Sequence, residues 1–408
     1  MPHLRRFVPH LVVASAVAVA FAASTSIALA MALPDDDHYN SPGFIVRHAW
    51  MKFAYLAASP FRDGLSEAER EARVARFFEL NGLIAENERV AGDPASARSD
   101  AEAAVIRAEE LRHERGEIEN GVEAILNGRL TEVIEEAGLT RRLGGADVVW
   151  PPVSIEFEDP PAVLVKSPRD EIRRDDESLL EGGLPIERVQ ELENDAERDG
   201  GTSALVVNTG GIAMYPAIVP QRSDYRGTLE NIAHEWIHHY LYFTPLGRDY
   251  FQGGDLTTLN ETLANIAGRE LGDMMFERYP VGRSASREAA PTPQTSAEVD
   301  FVAEMRGLRR EVEAMLARGE VEAAERLMEE KRRFLAENGH YIRRLNQAYF
   351  AFHGSYADSA GSIDPIGPKF QELRERSGSL EDFVRTAQEF RSAGELDEAL
   401  GEPAVPTP

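Results

Sequence analysis

The 408-residue chain predicts an α+β fold that is predominantly helical. Three observations predict it. Before residue 140 and after residue 223, apolar residues recur three and four positions apart, the helical period. Residues 150–220 instead hold short alternating or wholly apolar runs of strand length, enough for one small β-sheet. A charge-free first segment stands apart from both. Hydrophobic residues make up 43% and charged residues 28%, so the chain can bury a substantial core.

Residues 1–34 read as a transmembrane anchor or a signal segment. Arg5 and Arg6 precede residues 11–33, in which no charge occurs. At the helical rise that stretch is about 35 Å long, enough to cross a bilayer core. A basic start, an apolar centre and Ala28-Leu29-Ala30 before Pro34 equally fit a cleaved export signal. In either reading the arginines hold the N-terminus in the cytoplasm and the remainder is exported. The expected location is the cell envelope, with a single-pass membrane anchor through 11–33, or a periplasmic or secreted state after cleavage.

Lys and Arg number 44 against 70 Asp and Glu, a formal net charge of -26. Nucleic acid is therefore not an expected partner, since its phosphates require a positive face. The absence of Cys excludes disulfides, thiolate metal sites and cysteine catalysis.

Residues 35–140 read as a helical region. Ser66 and Glu69 form a capping box ahead of Val74, Phe77, Phe78, Leu80 and Ile84 at helical spacing. Gly92-Asp93-Pro94 breaks the pattern. A long helix then runs from about Ser96 to Ala137 and stops at Gly138. Val105, Leu111, Ile118, Val122, Ile125 and Leu126 make its apolar stripe, and its charges read as a solvated face.

Residues 141–400 read as one domain. Runs 153–158 and 162–166, flanking Asp159-Pro160-Pro161, predict a hairpin. Runs 203–208 and 211–219 predict two further strands joined through Thr209-Gly210-Gly211. The acidic stretch 168–201 predicts a connection containing a helix. Helices are expected over 225–243 and 258–279, and a Ser-, Ala- and Pro-rich loop over 280–296. Further helices are expected over 297–318, 321–338, 341–356, 368–377 and 379–392. The tail 401–408 (GEPAVPTP) reads as disordered.

The chemistry concentrates in His234-Glu235-Trp236-Ile237-His238. Positions i and i+4 share one helix face, so two imidazoles can meet one ion, and neutral imidazole suits tetrahedral zinc. Glu235 lies about a quarter-turn round the helix, placed to act as general base on a water rather than as a ligand. The helix is apolar on several sides (Ile232, Trp236, Ile237, Leu241), and burying such polar groups is costly unless they are paired or bind a metal. Catalytic zinc keeps three protein ligands and one open position. Glu261, 23 residues past His238 and beyond the turn-forming Gly253-Gly254, can supply the third from an antiparallel helix. Asn265, one turn further on, can orient His234 or His238. His239 points away from this face and reads as structural.

His234-Glu235-Trp236-Ile237-His238 followed by Asn260-Glu261-Thr262-Leu263-Ala264 resembles the gluzincin zinc metallopeptidases, whose pattern is HExxH and a later NExxA. The gap between the motifs is a few residues longer than in thermolysin-like and aminopeptidase-N-like members. Residues 203–272, and Leu345-Asn346-Gln347-Ala348 to Tyr356, resemble bacterial aminopeptidase-like proteins anchored in the envelope. That likeness covers roughly the second half of the chain. It implies a small sheet next to a zincin-like helical catalytic core, one Zn²⁺ on His234, His238 and Glu261, Glu235 as base and proton shuttle, and a peptide or protein substrate. It also implies a substrate-holding strand edge, which Gly210, Gly211 and Met214 would supply, and an oxyanion donor, for which Tyr356 matches better than His353. A non-catalytic envelope protein with a zinc-stabilised fold, or an interaction scaffold built on 62–140, is the alternative reading.

Overall fold

The computed structural model describes residues 37–45, 48, 64–93, 96–248, 250, 255–281, 299–356, 360 and 362–401. The expected anchor or signal, the Gly253-Gly254 turn, residues 282–296 of the expected loop and residues 402–408 of the tail lie outside them. Among the described residues, no helix is long and apolar enough to cross a membrane.

Two long helices come first, α1 (Glu67–Gly92) and α2 (Arg98–Glu136). The Ser66 side chain accepts from the Glu69 N–H while the Glu69 carboxylate accepts from the Ser66 N–H, the reciprocal cap expected. α2 stops as Gly138 predicts. Gly138 takes φ +77°, its N–H donates to Glu135 O, and the Leu139 N–H donates to Ile134 O. Two carbonyls left open by the helix end are thereby satisfied. The buried stripe of α2 differs from expectation at its start. Ala104, Ala108 and Leu111 follow the i, i+4, i+7 phase, which leaves Val105 exposed. Nor is the charged face wholly solvated. Glu123 is buried and accepts the Phe157 N–H at 2.8 Å, and buried Arg129 donates to Glu67 at 2.7 Å.

A hairpin that the sequence reading omitted follows: β1 (Arg141–Leu143) and β2 (Ala146–Val148) flank Gly144 and Gly145, both at positive φ. Two such residues make the turn that matches strand twist. β3 (Ile155–Phe157) pairs in parallel with β7 (Ala217–Val219). β4 (Ala162–Pro168) is the centre of an antiparallel sheet between β5 (Asp176–Leu180) and β6 (Thr202–Asn208), and α3 (Ile186–Ala196) connects β5 to β6. The hairpin expected across Asp159-Pro160-Pro161 is therefore not formed. Asp159 and Pro160 both precede proline, which favours extended backbone, so the chain runs on into a second sheet. The strand expected over 211–219 is reduced to β7. Pro216 has no N–H for a ladder, and Ile212 folds back to bridge Ile218.

The remaining elements are helical: α4 (Tyr225–Leu241), α5 (Pro245–Arg248), α6 (Asp255–Arg278), α7 (Phe301–Leu316), α8 (Val321–Glu337), α9 (Gln347–His353), α10 (Ile366–Arg376), α11 (Leu380–Ala387) and α12 (Ala393–Leu400). The helix expected over 341–356 contracts to α9, because the Asn346 side chain accepts the Tyr349 N–H at 2.9 Å and sets the start there. The helix expected over 379–392 ends at Ala387, and a separate α12 follows.

The main core joins α1, α2, β3, β7, α4, α6 and α10 to α12. Phe77 stacks on Phe157 at 4.8 Å, and Trp236 and Tyr240 are among its largest buried side chains. The first two helices thus share one core with the helix that carries His234 and His238. β4 is buried on both faces. Ala162 and Leu164 pack with Val189 of α3, and Val163 and Val165 pack with Ala348 and Phe352 of α9.

Candidate metal centre

α4 and α6 run antiparallel at a separation that only glycine permits. A Cβ on Gly268 would lie 2.7 Å from His234 Cα, and one on Gly272 would lie 2.6 Å from Glu230 Cα. Counting back along α6 and forward along α4 from those contacts carries Glu261 to the level of the His238 turn.

There the three expected ligand atoms meet. His234 Nε2 and His238 Nε2 are 3.0 Å apart, and Glu261 Oε2 lies 3.6 Å and 3.4 Å from them. Tetrahedral ligands at about 2.0–2.1 Å from an ion are separated from one another by about 3.3 Å. The triangle therefore has the edge lengths of one face of a zinc tetrahedron. Glu261 Oε2 is buried and meets no hydrogen-bond donor, as an atom reserved for a cation would. The electrostatics agree. Burial disfavours an imidazolium at His238, yet the facing Glu261 carboxylate outweighs it and raises the ring to about 9. Burial likewise opposes the Glu261 carboxylate, but His238 and His234 hold it well below its usual range. The cluster attracts positive charge, and a divalent cation meets that demand without a protonated ring. The residues fit zinc.

His238 Nδ1 donates to Asn260 Oδ1 at 2.8 Å, and Asn260 Nδ2 in turn points to Leu246 O at 3.5 Å. That bond leaves the Nε2 lone pair free for a metal. The residue that orients His238 is thus Asn260, immediately before the third ligand, rather than Asn265. Asn265 is half-buried one turn along α6.

Glu235 is 4% exposed. Burial pushes its carboxyl up, His234 and His238 oppose the rise, and Glu261 adds to it. A carboxyl raised above its ordinary range is suited to accept and return a proton. Over it lies the segment holding Gly210, Gly211 and Met214. These residues are not an edge strand: Ile212 bridges Ile218, and the chain around it is a loop. The loop nevertheless lies directly on Glu235. A Cβ on Gly211 would fall 2.5 Å from Glu235 Oε1 and 3.0 Å from Asn231 Oδ1. His239 fastens this loop to α4 by donating Nε2–H to Met214 O at 2.6 Å. Burial lowers the His239 pKa to about 4, so it stays neutral in that structural role.

One residue at the centre escaped the sequence reading. Tyr250, between α5 and α6, donates its hydroxyl to Glu261 Oε1 at 2.6 Å, and its ring meets the His238 ring edge-on at 6.2 Å. Tyr356 is close enough for its charge to act on Tyr250, as is Arg174 from the β4–β5 connection. Tyr356 also packs against Phe352, with ring centroids 5.8 Å apart. His353 is turned instead toward Tyr349, at 4.2 Å, and burial lowers its pKa to about 4. A cavity of about 520 Å³ lies elsewhere, lined by residues including Arg169, Glu197, Arg343 and Gln347, and contains none of the ligand atoms.

No protein-family model, no curated protein and no solved structure matches this chain. A functional reading therefore rests on its own residues and their geometry.

Proposed function

We propose that this chain is a zinc-dependent peptidase of gluzincin type, with a zincin-like arrangement of α4 and α6. The observation that carries the reading is the triangle of His234 Nε2, His238 Nε2 and Glu261 Oε2, with edges of 3.0 to 3.6 Å, beside a buried Glu235. A bound zinc ion supplies Lewis acidity and brings the pKa of a coordinated water toward neutrality. His238 is held in the right tautomer by Asn260. Glu235 accepts the proton of the attacking water, and its raised pKa suits it to pass that proton to the leaving amine. Tyr356, whose electrostatic influence reaches Tyr250, is the candidate donor to the developing oxyanion. The buried Glu235, on the turn between His234 and His238, supports catalysis over a purely structural ion, whose fourth position would be filled by protein. The basic start and charge-free stretch of residues 11–33 support an envelope location, with the catalytic core outside the cytoplasm.

The test is Glu235→Gln. Zinc content by metal analysis should stay at one ion per chain, while cleavage of a peptide library should fall at least about a hundredfold. Undiminished cleavage would remove Glu235 from the chemistry.

A further inference from the structure

We propose that Tyr250 is a positioning residue that sets the coordination mode of Glu261: its hydroxyl holds Oε1, so that Oε2 alone faces the two imidazoles. The inference rests on the zinc reading above and concerns how the third ligand is kept in place.

Glu261 is buried, and its two oxygens have different surroundings. Oε1 accepts the Tyr250 O–H at 2.6 Å, whereas Oε2 lies 3.4 Å and 3.6 Å from the imidazole nitrogens. A carboxylate with both oxygens free can turn either or both toward a cation. One with an oxygen already bonded to a buried phenol presents a single donor. Tyr250 is itself anchored from the same helix. Thr257 Oγ1 donates to the Tyr250 carbonyl at 3.0 Å, and Thr257 and Glu261 are one turn apart on α6. The backbone of Tyr250 is therefore tied to the first turn of α6, and its phenol reaches the ligand on the next. The edge-on contact with the His238 ring fixes its other side. Partners of this kind typically change metal affinity 10–100-fold.

The experiment compares the full chain with Tyr250→Phe, which removes only the hydroxyl. Zinc affinity is measured by chelator competition, and the visible spectrum is taken with Co²⁺ in place of zinc. Tyr250→Phe should still bind one ion, about 10–100-fold more weakly. Its cobalt spectrum should shift as the second carboxylate oxygen enters the coordination sphere, a change that a merely structural tyrosine would not produce. Equal affinity with an unchanged spectrum overturns the role of Tyr250. Absence of stoichiometric zinc from the wild-type chain overturns the metal reading instead, so the two failures are distinct. If circular dichroism finds Tyr250→Phe unfolded, Thr257→Val, which frees the Tyr250 carbonyl and leaves the phenol intact, carries the test. A weaker zinc affinity there supports the proposal, and an unchanged one overturns it.

Discussion

At the scale of single residues, Gly211 decides how Glu235 can sit. Its missing side chain is the space that Glu235 Oε1 and Asn231 Oδ1 occupy. Gly211→Ala should push the carboxylate off its position while leaving the imidazoles untouched. A displacement of about 1 Å at a reacting group can cost about a hundredfold in rate. The expected outcome is therefore a fall of that order in kcat with zinc content unchanged, read by steady-state kinetics and metal analysis on the same sample. His234, Glu235 and His238 were legible in sequence because their geometry is local. His234 and His238 need only a helix to converge, and Glu261 stands in a recognisable second motif. Asn260 was equally visible, adjacent to Glu261, but choosing it over Asn265 depends on how α6 is rotated against α4. Tyr250 left no signal, since it reaches Glu261 from a connection with no periodicity. Gly211 was expected near the substrate as part of a strand. Its actual neighbour, the base, is set by the bridge between Ile212 and Ile218.

At the scale of elements, the contact of α4 with α6 turns on Gly268 and Gly272. Replacing a helical glycine with alanine normally stabilises an exposed helix by up to about 1 kcal/mol. Here the added methyl would lie 2.7 Å from His234 Cα, and backbone cannot step aside as a flexible side chain does. Overpacking should win. Gly268→Ala is expected to destabilise by about 1–3 kcal/mol in chemical denaturation and to weaken zinc binding by parting Glu261 from the imidazoles. This pair carries no signal in sequence because small residues look alike whether they fill space or permit contact. Helices were otherwise the legible part. Caps such as Ser66 and stops such as Gly138 act within a few residues, so a single stretch contains their cause. Strand partners are not local. The same run at 162–166 suits a hairpin with its predecessor or the centre of another sheet, and two prolines, not hydropathy, decide between them. β5 was hidden by its acidic sequence, DESLL, whose first two residues are exposed.

At the scale of the whole molecule, Glu193 links layers that the chain visits far apart. It is 1% exposed, accepts the Val206 N–H at 2.8 Å, and is paired with Arg343 and Arg344, so α3, β6 and the approach to α9 meet on one carboxylate. Burial alone would raise it, but the Arg343 hydrogen bond, the Val206 N–H and both guanidinium charges hold it below its ordinary 4.5. A carboxyl lowered on folding contributes stability that is complete above its unfolded value and is lost as pH falls through the folded one. The wild type should therefore lose stability below about pH 4.5, and Glu193→Gln should lose less over the same window. At neutral pH that substitution should cost about 3 kcal/mol, the low end for breaking a buried pair, since both arginines are partly exposed. Denaturation midpoints across pH measure both effects.

The glycine contacts between α4 and α6 act as a ruler: they mate two rods at fixed graduations, whatever joins the ends. Their spacing is set within the rods and not by the connection, in which Tyr250 and the buried Leu246 have contacts of their own with Glu261 and Asn260. A single residue added inside either rod would instead rotate everything beyond it by about 100°. An insertion within either helix should therefore part the three donor atoms.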